Sequence, residues 1–252
     1  MKNHWILTPQ FFEKPEPVLG EIVPVGTIVN GPHAILDRTA ASMARLHQPI
    51  ASFTADTLGA GARPISVAGD CCASIPVLAG IRAAGIEPTL VWIDAHADFN
   101  TPETSPSQFL GGMPLAMIVG RGPQWMCESV GLVPFPEDRV WLIDGRDLDL
   151  KERDALDASA VRRTGMAGLE KLTIATPVHL HLDIDVINAS EAPGTNYPVS
   201  GGPSVADTVS ACKDFAAAND IIAISISGWT GSLDRDGKTK NACSAILEVL
   251  TV

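Results

Sequence analysis

From Val178 to Val186 the chain alternates a titratable residue with an aliphatic one: His179, His181, Asp183 and Asp185 are interleaved with Leu180, Leu182, Ile184 and Val186. In an extended strand successive side chains point to opposite faces, so the two histidines and two aspartates fall on one face and the aliphatic residues on the other. Carboxylates inside a buried sheet lose their hydration, which is prohibitive unless a cation or hydrogen bonds replace it. The segment Trp92-Ile93-Asp94-Ala95-His96-Ala97-Asp98 repeats the pattern at the end of a second apolar run. Two such strand ends bring four carboxylates and an imidazole together. That donor set exceeds what one ion needs and suits two borderline-hard divalent cations about 3.5–4 Å apart, with manganese the first expectation.

The surroundings read as an α/β domain. Apolar, β-branched runs at Pro64–Ala68, Thr89–Asp94, Arg139–Asp144, Val178–Val186 and Ile221–Ser227 predict strands. Between and after them, Ser74–Ala84, Lys151–Ser159, Ser204–Ala217 and Lys240–Leu250 carry apolar residues at helical spacing. The alternation implies a parallel sheet with helices on both faces. Irregular stretches follow strand ends at 97–114, 145–150 and 188–203, the edge at which open α/β sheets bind ligands. At 252 residues with 46% hydrophobic and 19% charged side chains, one continuous domain over residues 1–252 is expected.

Net charge of −11 disfavours nucleic acid and leaves a small molecule or cation as the expected partner. No apolar run is long enough to span a bilayer and the first residues carry proline and charge, so a cytoplasmic protein with no membrane partner is expected. Five scattered cysteines predict free thiols, not a disulfide framework.

From about Ala68 onward the chain resembles the ureohydrolases, the family of arginase, agmatinase and formimidoylglutamase. Asp94-Ala95-His96-Ala97-Asp98 is similar to the family's DAHxD motif. Asp183-Ile184-Asp185 followed by Ala192-Pro193-Gly194-Thr195 is similar to its DxDxxDPxxAPGTGTP motif. The resemblance implies a three-layer α/β/α fold with a mainly parallel sheet and a dinuclear manganese centre at its carboxyl edge. Asp94, Asp98 and Asp183 would be shared or bridging ligands, His96 and Asp185 would complete the second ion, and Asp98 would relay the proton of the attacking, metal-bridging hydroxide. Family members are often trimers or hexamers, which leaves a homo-oligomer open.

Three positions depart from the family pattern. Within Ala68-Gly69-Asp70-Cys71-Cys72, Cys71 stands in the place of a metal-binding histidine, and its softness favours zinc, iron or cobalt more than imidazole does. Cys72 is expected only to pack. Gly111 in Leu110-Gly111-Gly112-Met113-Pro114 stands where arginases carry a proton-shuttling histidine. Gly228 aligns with the glutamate that grips the guanidinium, with Asp234 or Asp236 as the nearest replacements. Other positions match arginases: Asn100, Ser105 and Ser107 where a substrate carboxylate is held, and Asp149, in the stretch from Arg146 to Glu152, where the substrate amino group is met. Arg146 and Asp147 also read as a structural ion pair. The combination of Cys71, the DFNTPET stretch and the LGGM loop most resembles the Nω-hydroxy-L-arginine hydrolase branch.

The function expected is hydrolysis of a C–N bond in a linear amidine, foremost the guanidino or N-hydroxyguanidino group of an arginine-like amino acid. A ureohydrolase fold that binds without catalysis, and a hydrolase of formimino or other amidines, are the rival readings. His4, His33 and His47 lie outside the motifs and are expected to pack or face solvent. His179 and His181 share the aspartate face, and His181 is expected to support a metal ligand from behind.

Overall fold

The computed structural model describes residues 1–31 and 37–252, and His33 lies outside the described residues. Its centre is an eight-stranded sheet of β1 (Asn3–Thr8), β2 (Ile28–Val29), β3 (Arg63–Ala68), β4 (Thr89–Asp94), β5 (Val140–Asp144), β6 (Arg162–Thr164), β7 (Val178–Asp183) and β8 (Ile221–Ser227). The spatial order is β2-β1-β3-β8-β7-β4-β5-β6, and each described pairing in it is parallel. A small antiparallel hairpin, Gln10–Phe11 with Lys14–Pro15, lies outside the sheet.

Five longer helices cover it: α1 (Ala40–Gly59), α2 (Ser74–Ala83), α3 (Leu150–Asp157), α4 (Val205–Ala218) and α5 (Lys238–Leu250). The period-two alternation of the strands sorts the core. Leu180, Leu182, Ile224, Ile226, Val91 and Ile93 pack into the cluster that holds α4 and α5. Leu90, Trp92, Val140 and Leu142 pack into the opposite cluster, with residues from α1, α2 and the short helix Pro114–Ile118. The result is three layers, helix, sheet and helix, with the central strands buried on both faces. Among the described residues no helix is long and apolar enough to cross a membrane.

Two expectations need correction. β7 ends at Asp183 and residues Ile184–Val186 turn into a 3-10 helix, because the Asp183 carboxylate accepts the Asp185 amide at 2.9 Å and closes the turn. Asp185 is therefore aimed by this turn and not by strand alternation. Arg146 does not pair with Asp147: its guanidinium binds Asp144 and the carbonyls of Asp185, Val186, Val199 and Ser200. Gly202 makes room for it, since a Cβ there would fall 2.7 Å from Arg146 Nη2. Arg146 thus clamps the 184–203 loop onto the end of β5.

β3 and β4 follow each other in the chain, yet β8 and β7 lie between them in the sheet. Where neighbours in sequence part in space, the connections leave a crevice at the carboxyl ends of the strands. The conspicuous residues of the sequence converge there.

Candidate metal centre and substrate pocket

A cavity of about 360 Å³ opens at that edge, floored by Cys71, Asp94, His96, Asp98, Asp183 and Asp185. Cys71 follows β3, Asp94 ends β4, and His96 and Asp98 lie on the loop beyond it. Asp98 sits at φ +51°, a left-handed conformation that turns the chain back into the site and that aspartate tolerates better than most residues. Local hydrogen bonds fix the ends: Asp94 Oδ1 accepts the His96 amide at 2.7 Å, and Asp185 Oδ1 accepts the Ala95 amide at 3.3 Å. His96 Nδ1 lies 3.1 Å from Asp185 Oδ2 and 3.4 Å from Asp94 Oδ1.

This concentration of acid perturbs every group in it. Burial pushes Asp183 up to about 7, with Asp185 beside it adding to the effect, and burial pushes Asp185 up to about 6, with the charge of Asp94 as the next cause. Asp98 and Asp94 are also raised by burial and by their acidic neighbours. Burial opposes a charge on His96, but hydrogen bonds to Asp185 and Asp94 outweigh it and push the imidazole up to about 12. Burial and the adjacent aspartates hold Cys71 as a thiol well above its ordinary value, donating to Asp183 Oδ2 at 2.9 Å. The common physical cause is negative charge gathered away from water without enough positive charge to balance it.

The donor set fits a pair of divalent cations. Asp94, His96 and Asp185 offer ligand atoms within 4.8 Å of one another, and Cys71, Asp94 and His181 form a second such group. Asp98 Oδ2 is buried without any hydrogen-bond partner, which is costly for a carboxylate unless a cation meets it.

The residues expected to hold an amino acid reach the same cavity. Asn100, Ser105, Ser107 and Asp149 line it. Asn100 Nδ2 donates to Asp149 Oδ2 at 3.0 Å, Ser105 and Ser107 hydroxyls stand 3.3 Å apart, and Glu152 holds the loop by accepting the Phe99 amide at 2.9 Å.

The rim carries what the sequence reading missed. Phe109 and Tyr197 face each other with ring centroids 5.0 Å apart, and Phe11 stacks on Phe109 at 6.3 Å. Arg38, paired to Glu13, lies over Phe12 at 4.5 Å and over Phe109 at 5.8 Å. A Cβ on Gly111 would fall 2.4 Å from the Phe109 ring, so that ring uses the space a side chain at 111 would need. Gly228 has φ +89°, and a Cβ on it would fall 2.0 Å from Asp183 Oδ1. No side chain fits there beside the Asp183 carboxylate. Asp234 does not replace the lost carboxylate, because it accepts from Trp229 Nε1 and from the Thr239 and Lys240 amides at the start of α5. Asp236 pairs with exposed Lys238. The aromatic signal was available in Phe11-Phe12, Phe109 and Tyr197, but isolated aromatics in loops carry no periodicity by which to place them.

The histidines and cysteines outside the motifs divide cleanly. His4 is half-buried in β1, and His47 is buried in α1, where desolvation lowers it to about 4. The cysteines are all free, and Cys72 is fully buried as a packing residue.

Comparison with known proteins agrees with this geometry. Residues 21–251 match the model of the arginase family. An arginase of Bacillus caldovelox is 30% identical over 225 residues, 83% of this chain and 75% of that protein. An arginase of Bacillus subtilis strain 168 is 32% identical over 201 residues, 74% of this chain and 68% of that protein. The crystal structure of arginase from Bacillus subtilis strain 168 superposes with a TM-score of 0.85 at 24% identity, covering 100% of this chain and 98% of that one. With an arginase-like α/β fold and ureohydrolase relatives along most of its length, the chain is an enzyme of the arginase family.

Proposed function

We propose that this enzyme hydrolyses a C–N bond of a linear amidine, and that its substrate is an arginine-like amino acid carrying an N-hydroxyguanidino group, or failing that a guanidino group. The observation that carries the reading is one cavity in which an acidic, metal-fitting floor lies beneath Asn100, Ser105, Ser107 and Asp149, while positions 111 and 228 carry no side chain. Asp94, Asp98, Asp183 and Asp185, with His96 and Cys71, would hold two divalent cations, assigned as Mn²⁺ from the predominance of carboxylate oxygen. Bound there, the cations supply Lewis acidity toward the amidine and lower the pKa of water.

The chain's own residues do the rest. Asp98, with Oδ2 free of other partners, is placed to hold the proton released from water. Asn100, Ser105 and Ser107 offer polar atoms to an α-carboxylate, and Asp149 offers a carboxylate to an α-amino group. Phe109 and Tyr197 narrow the mouth and exclude water. With no acid at 111 and no carboxylate at 228, the site suits a group that is less basic than a guanidinium, because such a group leaves with less help from a proton donor and needs less charge to bind. An N-hydroxyguanidine has that property.

The test offers manganese-loaded protein L-arginine, Nω-hydroxy-L-arginine, agmatine and N-formimino-L-glutamate in parallel, quantifying urea, hydroxyurea and formamide. Hydroxyurea release exceeding urea release is expected. Agmatine as the best substrate would overturn the role of the carboxylate-binding loop. Formamide alone would move the chemistry outside the guanidines, and silence on all four with two ions bound would overturn the substrate class.

A further inference from the structure

Beneath the floor of the cavity β7 carries an imidazole that the ligand set inferred above does not use. His181 lies two residues before Asp183 and is 1% exposed. Its Nδ1 stands 3.0 Å from Ser225 Oγ on the neighbouring strand, and Trp92 on the other neighbour packs against the ring with centroids 3.9 Å apart. Its Nε2 is buried with no hydrogen-bond partner. One of its ring nitrogens, the Cys71 thiol sulfur and an Asp94 carboxylate oxygen lie within 4.8 Å of one another.

Of the two ring nitrogens, Nδ1 is engaged with Ser225 and Nε2 is not. Ser225 Oγ has three neighbours: His179 Nε2 at 3.0 Å, His181 Nδ1 at 3.0 Å and Ser74 Oγ at 3.3 Å. A hydroxyl has one proton to give, so at least two of those contacts are donated to it. Where His181 Nδ1–H is one of the two donors, Nε2, which has no other partner, keeps its lone pair and is the nitrogen left for the site. This is the arrangement by which metal-bound histidines are commonly fixed, one nitrogen on the ion and the other in a hydrogen bond that sets the tautomer. It also gives a reason for Ser225, a polar residue inside a central strand buried on both faces.

We propose that His181 Nε2 is a direct ligand of one of the two cations, shared with Cys71 and Asp94, so that the imidazole missing at position 71 is supplied from β7. The inference rests on the dinuclear reading above and adds to it that the two positions differ in softness. One offers sulfur, nitrogen and oxygen from Cys71, His181 and Asp94, which suits cobalt, zinc or iron. The other offers nitrogen and carboxylate oxygen from His96, Asp94 and Asp185, which suits manganese.

The full-length protein titrated with Co²⁺ tests this without reference to turnover. Proton NMR of the loaded protein is expected to show two exchangeable, hyperfine-shifted imidazole N–H signals, one from His96 and one from His181. His181→Asn preserves a polar atom near Ser225 and removes Nε2. It is expected to delete one signal and weaken one of the two ions by more than the about 10–100-fold that loss of an outer hydrogen-bond partner costs. His179→Gln, which keeps a polar atom at the other end of the same Ser225 contact, is expected to leave both signals and both affinities near wild type. A single N–H signal in the wild-type protein overturns the proposal, as does an equal loss of affinity in both variants. Two ions bound as tightly in His181→Asn as in wild type overturn His181 alone, whereas a protein that takes up no Co²⁺ overturns the dinuclear reading with it. Should His181→Asn fail to fold, the wild-type signal count decides.

Discussion

At the floor of the cavity, Asp94, His96, Asp98, Asp183 and Asp185 sit in the family's motif positions, and hydrogen bonds to backbone amides at the strand ends fix Asp94, Asp183 and Asp185. At the rim, Phe109, Gly111, Tyr197 and Gly228 stand on irregular segments and a short 3-10 helix, and two of the four carry no side chain. Floor residues answer to the electrostatics of the ions they would hold. Rim residues answer to the shape and basicity of one substrate. The same fold can therefore keep its reaction type while changing what it admits.

The sharpest way to break this contrast is Asp98→Asn. Asparagine also accepts a left-handed backbone, so the fold should persist by circular dichroism, while amidine turnover should fall by about 10²–10⁴-fold. Retained turnover would remove Asp98 from the chemistry. Gly228→Ala should blur the line between floor and rim, since a positive φ alone costs about 1–3 kcal/mol and the added Cβ would press on Asp183. A lower melting temperature together with weaker Mn²⁺ binding is expected, and an unchanged affinity would show that Asp183 has room to move.

Proton competition gives a graded probe of the floor. Asp183 at about 7 and Asp185 at about 6 are raised in the metal-free protein, so a cation must displace protons below those values. Affinity should rise with pH up to about 7, by about tenfold per unit for each proton released, and calorimetry at pH 6 in buffers of different ionisation enthalpy should detect the release. A flat pH profile between 5 and 7 would contradict it. The smallest effect is expected at the rim, where Phe109→Ala should raise KM a few-fold with kcat nearly unchanged, in keeping with the about 0.5–1.5 kcal/mol of an aromatic contact. A fall in kcat instead would place the ring among the groups that act on the transition state.

Much of the floor was legible because strand chemistry writes itself at period two. β4 and β8 match their expected bounds, and β3, β5 and the four expected helices differ by a few residues at their ends. α1 was not legible: its interior contains Pro49 and its buried stripe includes His47, Thr54 and Thr57, which disguise the apolar face. Nor was β1, whose outer half is only partly buried and whose neighbour β2 is two residues long. In the site, alternation correctly placed His179, His181 and Asp183 on one strand but misplaced the cause of Asp185's position, which is a capped turn. The clamp made by Arg146 was not legible either, because beyond Asp144 its contacts are carbonyls from a loop 39 to 54 residues away in sequence.

Gly228 also constrains any redesign of the pocket. A guanidinium-gripping carboxylate at this position requires at once a side chain where backbone of positive φ resists one, and space now taken by Asp183. No single substitution supplies both, so an acid placed at 228 alone is expected to destabilise the fold. Redesign toward arginine is better begun by rebuilding the turn after β8 as a unit than by exchanging one amino acid within it.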